Sequence, residues 1–179
     1  MYTVKSALGL PTFRLDAATI AADRDANRHT SRPANAVRSP AMRQHEILIA
    51  EDEPLVAFDL SECLSGLGYR PLGPVSTGVD TIRYCEQHAP DLVLMDIGLR
   101  GSIDGIVAAA YLFDRLKIPV IYVTGRTESE VLDRVKFTNP YGFILKPVKE
   151  AELKAEIEIA LYKHSEFLAN SSTNGNRNN

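Results

Sequence analysis

Between residues 46 and 163 the chain alternates short unbroken apolar runs with longer stretches whose apolar positions recur every three to four residues. The short runs predict strands over 46–50 (EILIA), 70–75, 91–95 (DLVLM), 118–123 (IPVIYV) and 142–145. The second of these is the weakest, because Pro71 and Pro74 interrupt it. The periodic stretches predict helices over 54–67, around Val79, Ile82 and Cys85, then over 106–116, 128–135 and 149–163. Pro54 suits the first turn of the first helix, and Gly68 suits its carboxyl-terminal cap. Strands that are apolar throughout, rather than at every second position, are buried on both faces. Five of them alternating with five helices predict an α/β domain, a parallel sheet covered by helices on each side.

Outside this block the pattern fades. Residues 1–43 are rich in alanine, poor in large aliphatics and broken around Arg28–Asn35, which reads as a disordered extension. Met42 stands just before the first strand, so translation starting there is an option. Residues 169–179 are rich in Asn, Ser and Thr and read as a disordered tail. The 179 residues carry a net charge of −3, but it is split unevenly. Residues 1–45 hold seven Lys/Arg against three Asp/Glu, and the rest hold thirteen against twenty. A basic leader thus precedes an acidic domain. With 45% hydrophobic and 24% charged residues, wholesale disorder and collagen-like or disulfide-scaffold architectures are excluded. The longest apolar run, Ile106–Phe113, has eight residues, whereas a spanning helix needs about 20. Cys63 and Cys85 form no CxxC pair and read as packing thiols, and no secretory signal is visible, so a cytoplasmic location is expected.

In a parallel sheet of this kind, polar chemistry collects at the carboxyl ends of the strands. Glu51, Asp52 and Glu53 follow the first strand, Asp96 the third, Thr124 the fourth and Lys146 the fifth. Several carboxylates on one rim repel one another unless a cation offsets them. Mg2+ is the apt one, since it takes a few carboxylate oxygens together with water and phosphate oxygens. The Lys146 ammonium and Thr124 hydroxyl would then hold the oxygens of a phosphoryl group carried by Asp96 as an acyl phosphate.

The segments ILIAEDEP, DLVLMDIGL, VIYVTG and FILKP resemble the receiver domain of two-component response regulators, over residues 44–168. That resemblance implies a doubly wound five-stranded parallel sheet in the order 2-1-3-4-5, as in flavodoxin-like folds. It implies Asp96 as phosphoacceptor, Asp52 as the main metal-binding acid, Glu51 acting through water, and the backbone carbonyl of Gly98 as a further Mg2+ ligand. Thr124 and Lys146 would bind the phosphoryl group, Thr124 and Phe143 would act as the switch, and the Lys146–Pro147 bond would be cis. The sequence also departs from the family. The loop after Asp96 reads IGLRGSIDG, one residue longer than usual, with Arg100 near the place of a customary proline. Gly125 stands where alanine is common, and Phe143 lacks the hydroxyl of the usual tyrosine.

The expected function is that of a phosphoacceptor in a two-component relay rather than an enzyme, apart from slow self-dephosphorylation. Its donors would be a sensor histidine kinase or a histidine phosphotransfer protein. With no output domain expected after the last helix, its target would dock on the fourth helix, fifth strand and fifth helix; direct nucleic-acid and membrane contacts are not expected. A degenerate receiver that binds its partner without phosphorylation remains open. A Mg2+-dependent phosphatase using an Asp nucleophile would need a second acid at position 98, where this chain has glycine. Gly98, Gly101 and Gly105 match no glycine-rich phosphate loop, and the four histidines lack metal-ligand spacing.

Overall fold

The computed structural model describes residues 2–3, 14–15, 44–125 and 129–174. The chain divides into two compact units, Met1–Arg43 and Gln44–Asn179. In the first, Tyr2–Thr3 pairs antiparallel with Arg14–Leu15. The rest of the leader, expected to be disordered, lies outside the described residues.

The second unit contains five strands: β1 (Glu46–Ala50), β2 (Arg70–Val75), β3 (Leu92–Met95), β4 (Val120–Thr124) and β5 (Gly142–Leu145). They form one parallel sheet in the order β2-β1-β3-β4-β5. The predicted doubly wound α/β architecture is what the chain adopts. Five helices alternate with the strands: α1 (Pro54–Gly66), α2 (Gly78–His88), α3 (Gly105–Tyr111), α4 (Ser129–Lys136) and α5 (Glu150–Asn174). Successive strand residues point to opposite faces. Ile47, Ile49, Leu94 and Ile121 therefore share one face, where they pack with Leu64 of α1 and Ile157 of α5. Leu48, Ala50, Val93 and Met95 are buried just as completely and serve the other face. Each such Leu or Ile is worth about 1.5–3 kcal/mol relative to exposure, which explains why the interior positions of these strands are apolar.

Local chemistry sets the helix ends. Thr77 caps α2 by accepting from the Asp80 amide at 3.0 Å. Asp104 caps α3 by accepting from the Val107 amide at 2.9 Å. Gly68, at φ 85°, supplies the left-handed turn after α1, and the Tyr69 amide donates back to the Leu64 carbonyl at 3.0 Å.

Three boundaries differ from the pattern by more than one residue. The third helix leaves α geometry after Tyr111 and widens into a π turn over Leu112–Leu116, which Lys117 ends at φ 56°. β4 begins at Val120 rather than residue 118, because the left-handed Lys117 has just turned the chain and Pro119 has no amide for a ladder. The last correction is larger. The tail expected to be disordered from residue 169 is helical as far as Asn174. No glycine or proline interrupts residues 163–174, and aromatic contacts anchor the extension. Tyr141 Oη lies 3.1 Å from His164 Nδ1, and Phe167 sits 6.2 Å from both the His164 and the Phe113 rings. Residues 175–179 lie outside the described residues.

The Lys146–Pro147 peptide bond is cis, and so is Gly73–Pro74. Cys85 is buried and Cys63 half-buried, both as free thiols. Burial pushes the Cys85 thiol up to about 12, which leaves it protonated and inert at neutral pH. No described helix is long and apolar enough to cross a membrane.

Candidate functional site

Three backbone hydrogen bonds continue the sheet just past its strands. The Glu51 amide donates to Val75 O at 2.9 Å, the Asp96 amide to Ala50 O at 2.8 Å, and the Lys146 amide to Thr124 O at 3.0 Å. The side chains of Glu51, Asp96 and Lys146 thus leave from rigid backbone at one edge of the sheet. Asp52 follows directly, and Pro54 starts α1 two residues later.

Glu51, Asp52 and Asp96 each bring a carboxylate oxygen to a common place, all within 4.8 Å of one another. Glu51 is 3% exposed and Asp96 8%. Lys146 Nζ stands 2.7 Å from Glu51 Oε2, 3.4 Å from Asp96 Oδ1 and 3.9 Å from Glu53 Oε1. The Glu53 amide donates to Glu51 Oε1 at 3.2 Å. Glu51 Oε2 is buried without a directed hydrogen bond, so its close approach to Lys146 is an ion pair. Burial pushes the Glu51 carboxyl above its ordinary range, although Lys146 and the Glu53 amide pull it back. Burial also works against the Lys146 ammonium, but the Glu51 and Asp96 carboxylates more than offset it and hold its pKa above the usual value.

This donor set suits a hard divalent cation. All its ligand atoms are oxygens, they are crowded, and one of them is buried with Lys146 as its one neighbour of opposite charge among the described residues.

The loop after β3 completes the site. The Gly98 amide donates to Asp96 Oδ2 at 2.9 Å, fixing the carboxylate from below. Gly105 follows where the chain turns back beneath Asp96. A Cβ there would lie 2.0 Å from the Asp96 carbonyl oxygen, so only glycine fits. Between them, Arg100 reaches back to Asp52. Its Nε donates to Asp52 Oδ2 at 2.8 Å and its Nη2 to the Asp52 carbonyl at 3.3 Å. Its position was visible as a departure in the sequence, but a partner 48 residues earlier was not.

Thr124 ends β4 and is 1% exposed. Phe143 is half-buried on β5, with its ring 6.4 Å from that of Tyr122. Tyr122 is fully buried, and its hydroxyl lies 2.9 Å from Thr138 Oγ1. The fold thus gathers Glu51, Asp52, Asp96, Gly98 and Lys146 into one cluster. Thr124 is tied to that edge through the Lys146 amide, while Phe143 belongs to an aromatic contact beside it.

Residues 47–158 match the family described as the response regulator receiver domain. The chain belongs to this family. The transcriptional regulatory protein PdtaR of Mycobacterium tuberculosis is 32% identical over 123 residues, covering 69% of this chain and 60% of that protein. The phyllosphere-induced regulator PhyR of Methylorubrum extorquens is 35% identical over 118 residues, covering 65% of this chain and 43% of that protein. The matches therefore span less than two thirds of these relatives' length. Among solved structures, the signal receiver domain of a modulated diguanylate cyclase from Desulfovibrio desulfuricans superposes with a TM-score of 0.66 at 36% identity. It covers 69% of this chain and 98% of that one. This receiver domain is therefore a regulatory module of two-component signalling.

Proposed function

We propose that this receiver accepts a phosphoryl group on Asp96 from the phosphohistidine of a sensor histidine kinase or a histidine phosphotransfer protein. One observation carries the reading: Lys146 reaches both Asp96 and Glu51 where three carboxylates converge at the strand ends. An Asp96 carboxylate oxygen attacks phosphorus as the P–N bond breaks, and the departing imidazole nitrogen keeps the electron pair. Lys146 offsets the charge that spreads over the phosphoryl oxygens, and the Thr124 hydroxyl supplies a donor to them. The Gly98 amide keeps the Asp96 carboxylate in position.

Asp52, Asp96 and the Gly98 carbonyl would hold Mg2+, with Glu51 reaching it through water. Bound there, the ion supplies charge neutralisation for the phosphoryl group. Hydrolysis of the acyl phosphate then resets the domain slowly.

Output runs through protein contacts in the cytoplasm. Phosphorylation draws Thr124 toward the phosphoryl group and lets Phe143 turn inward, changing the face formed by α4, β5 and α5. Without a hydroxyl, Phe143 makes this move on packing alone, against Tyr122.

Incubation with acetyl phosphate and Mg2+, read by intact-mass spectrometry, tests the reading. The full chain gains one acid-labile phosphate, and Asp96→Asn gains none. A folded wild type that stays unmodified with acetyl phosphate and with a panel of phosphorylated kinases favours a phosphorylation-independent binding module instead.

A further inference from the structure

We propose that Arg100 is an internal competitor for the metal-binding acid: its guanidinium holds Asp52 in the metal-free domain and must release it before Mg2+ binds there. The inference rests on the reading of Asp52 as a metal ligand. Two cations divide the three carboxylates between them. Lys146 serves Glu51 and Asp96, and Arg100 serves Asp52. The two are held very differently. The Lys146 side chain is 17% exposed, whereas that of Arg100 is 70% exposed. Among the described residues, the hydrogen bonds of this largely exposed guanidinium both run to one residue, Asp52. Releasing it into water therefore costs only those bonds, while releasing Lys146 would strand two buried carboxylates.

The backbone explains why Arg100 points this way. A parallel bridge joins Arg100 to Thr77, and Thr77 is itself fixed as the cap of α2. Gly101 follows at φ 99°, where the chain turns away. The loop is thus pinned on the α2 side, and the arginine side chain extends from a fixed point to Asp52. A proline at this place would supply no charge. Arginine makes Mg2+ binding an exchange of one cation for another, so the domain needs more Mg2+ than its carboxylates alone would require.

Isothermal titration calorimetry with Mg2+ on the full chain, comparing wild type, Arg100→Gln, Arg100→Lys and Asp52→Asn, tests this. Arg100→Gln is expected to bind Mg2+ about three- to tenfold tighter, or ~0.7–1.4 kcal/mol at 1.4 kcal/mol per tenfold. Arg100→Lys, which keeps the charge but loses the two-pronged contact, falls between. In NMR spectra, the Arg100 Nε–H signal moves on Mg2+ saturation toward its position in Asp52→Asn. If Asp52→Asn loses binding while Arg100→Gln keeps the wild-type dissociation constant within twofold, the metal site stands and the competition does not. If Asp52→Asn binds Mg2+ like wild type, the metal-site reading fails and the competition with it. Because Arg100 is exposed, urea midpoints of its variants should match wild type; Arg100→Lys supplies the comparison should Arg100→Gln shift.

Discussion

Replacing Lys146 with methionine removes the cation nearest to both Glu51 and Asp96. At 2.7 and 3.4 Å, with an effective dielectric of ~20, the two attractions are about 6 and 5 kcal/mol before desolvation is counted. Leaving a buried charge without its partner costs about 3–5 kcal/mol in general. Here Glu51 has an escape, since taking up a proton removes its charge. From its reference value of 4.5, protonation at pH 7 costs at most about 3.4 kcal/mol, at 1.36 kcal/mol per pH unit. Asp96 keeps the Gly98 amide as a partner. The expected loss in Lys146→Met is therefore about 2–3 kcal/mol at pH 7 in EDTA, after the ~17% exposure of Lys146 is allowed for. Glu51 stands above 4.5 in the fold, so the folded chain binds its proton more readily than the unfolded one. That contribution is present at low pH and lost as pH rises through the folded-state value. At pH 5 the ceiling drops to about 0.7 kcal/mol for Glu51, and the gap between variant and wild type should close accordingly. Urea denaturation at both pH values, with unchanged m, reads this directly. Saturating Mg2+, at about a hundred times its dissociation constant, should return ~2.7 kcal/mol to the variant. A Lys146→Met protein within ~0.5 kcal/mol of wild type at pH 7, or a gap that does not change with pH, would refute the reasoning.

Other positions make separate predictions. Gly105→Ala places a methyl 2.0 Å from the Asp96 carbonyl and should cost about 1–3 kcal/mol or more while impairing phosphorylation; thermal melts and intact mass check both. Gly125→Ala meets open space, so stability should hold while the added methyl shields the acyl phosphate and slows its decay, measured by phosphate release over time. Asp104→Ala removes the α3 cap and the 2.6 Å ion pair to Arg134 on α4, and should cost about 1–2 kcal/mol in urea denaturation.

The parts of the fold set by burial were open to sequence reading. β1, β3 and β4 show themselves because both faces are buried, which keeps their interior positions apolar and confines Glu46 and Thr124 to strand ends. The site showed for the converse reason: Asp96, Thr124 and Lys146 stand where such runs stop. What escaped depends on contacts distant in sequence. Asn, Ser and Thr after residue 169 suggested a frayed end, but His164 meets Tyr141 edge-on, Phe167 stacks on His164 and leans against Phe113, and these contacts carry the helix onward. The π turn at Leu112–Leu116 has no periodicity distinct from that of an α-helix over five residues. Arg100 could be seen to be unusual, yet only the path of the loop past Thr77 brings it to Asp52.

Chemical trapping of the acyl phosphate tests the central claim most directly. Borohydride reduces an aspartyl phosphate to homoserine, and peptide mass spectrometry then locates it. After incubation with acetyl phosphate and Mg2+, the converted residue should be Asp96 alone, and Asp96→Asn should show no conversion. Conversion at Asp52 or Glu53, or none in a folded wild type, would contradict the assignment of Asp96 as the phosphoacceptor.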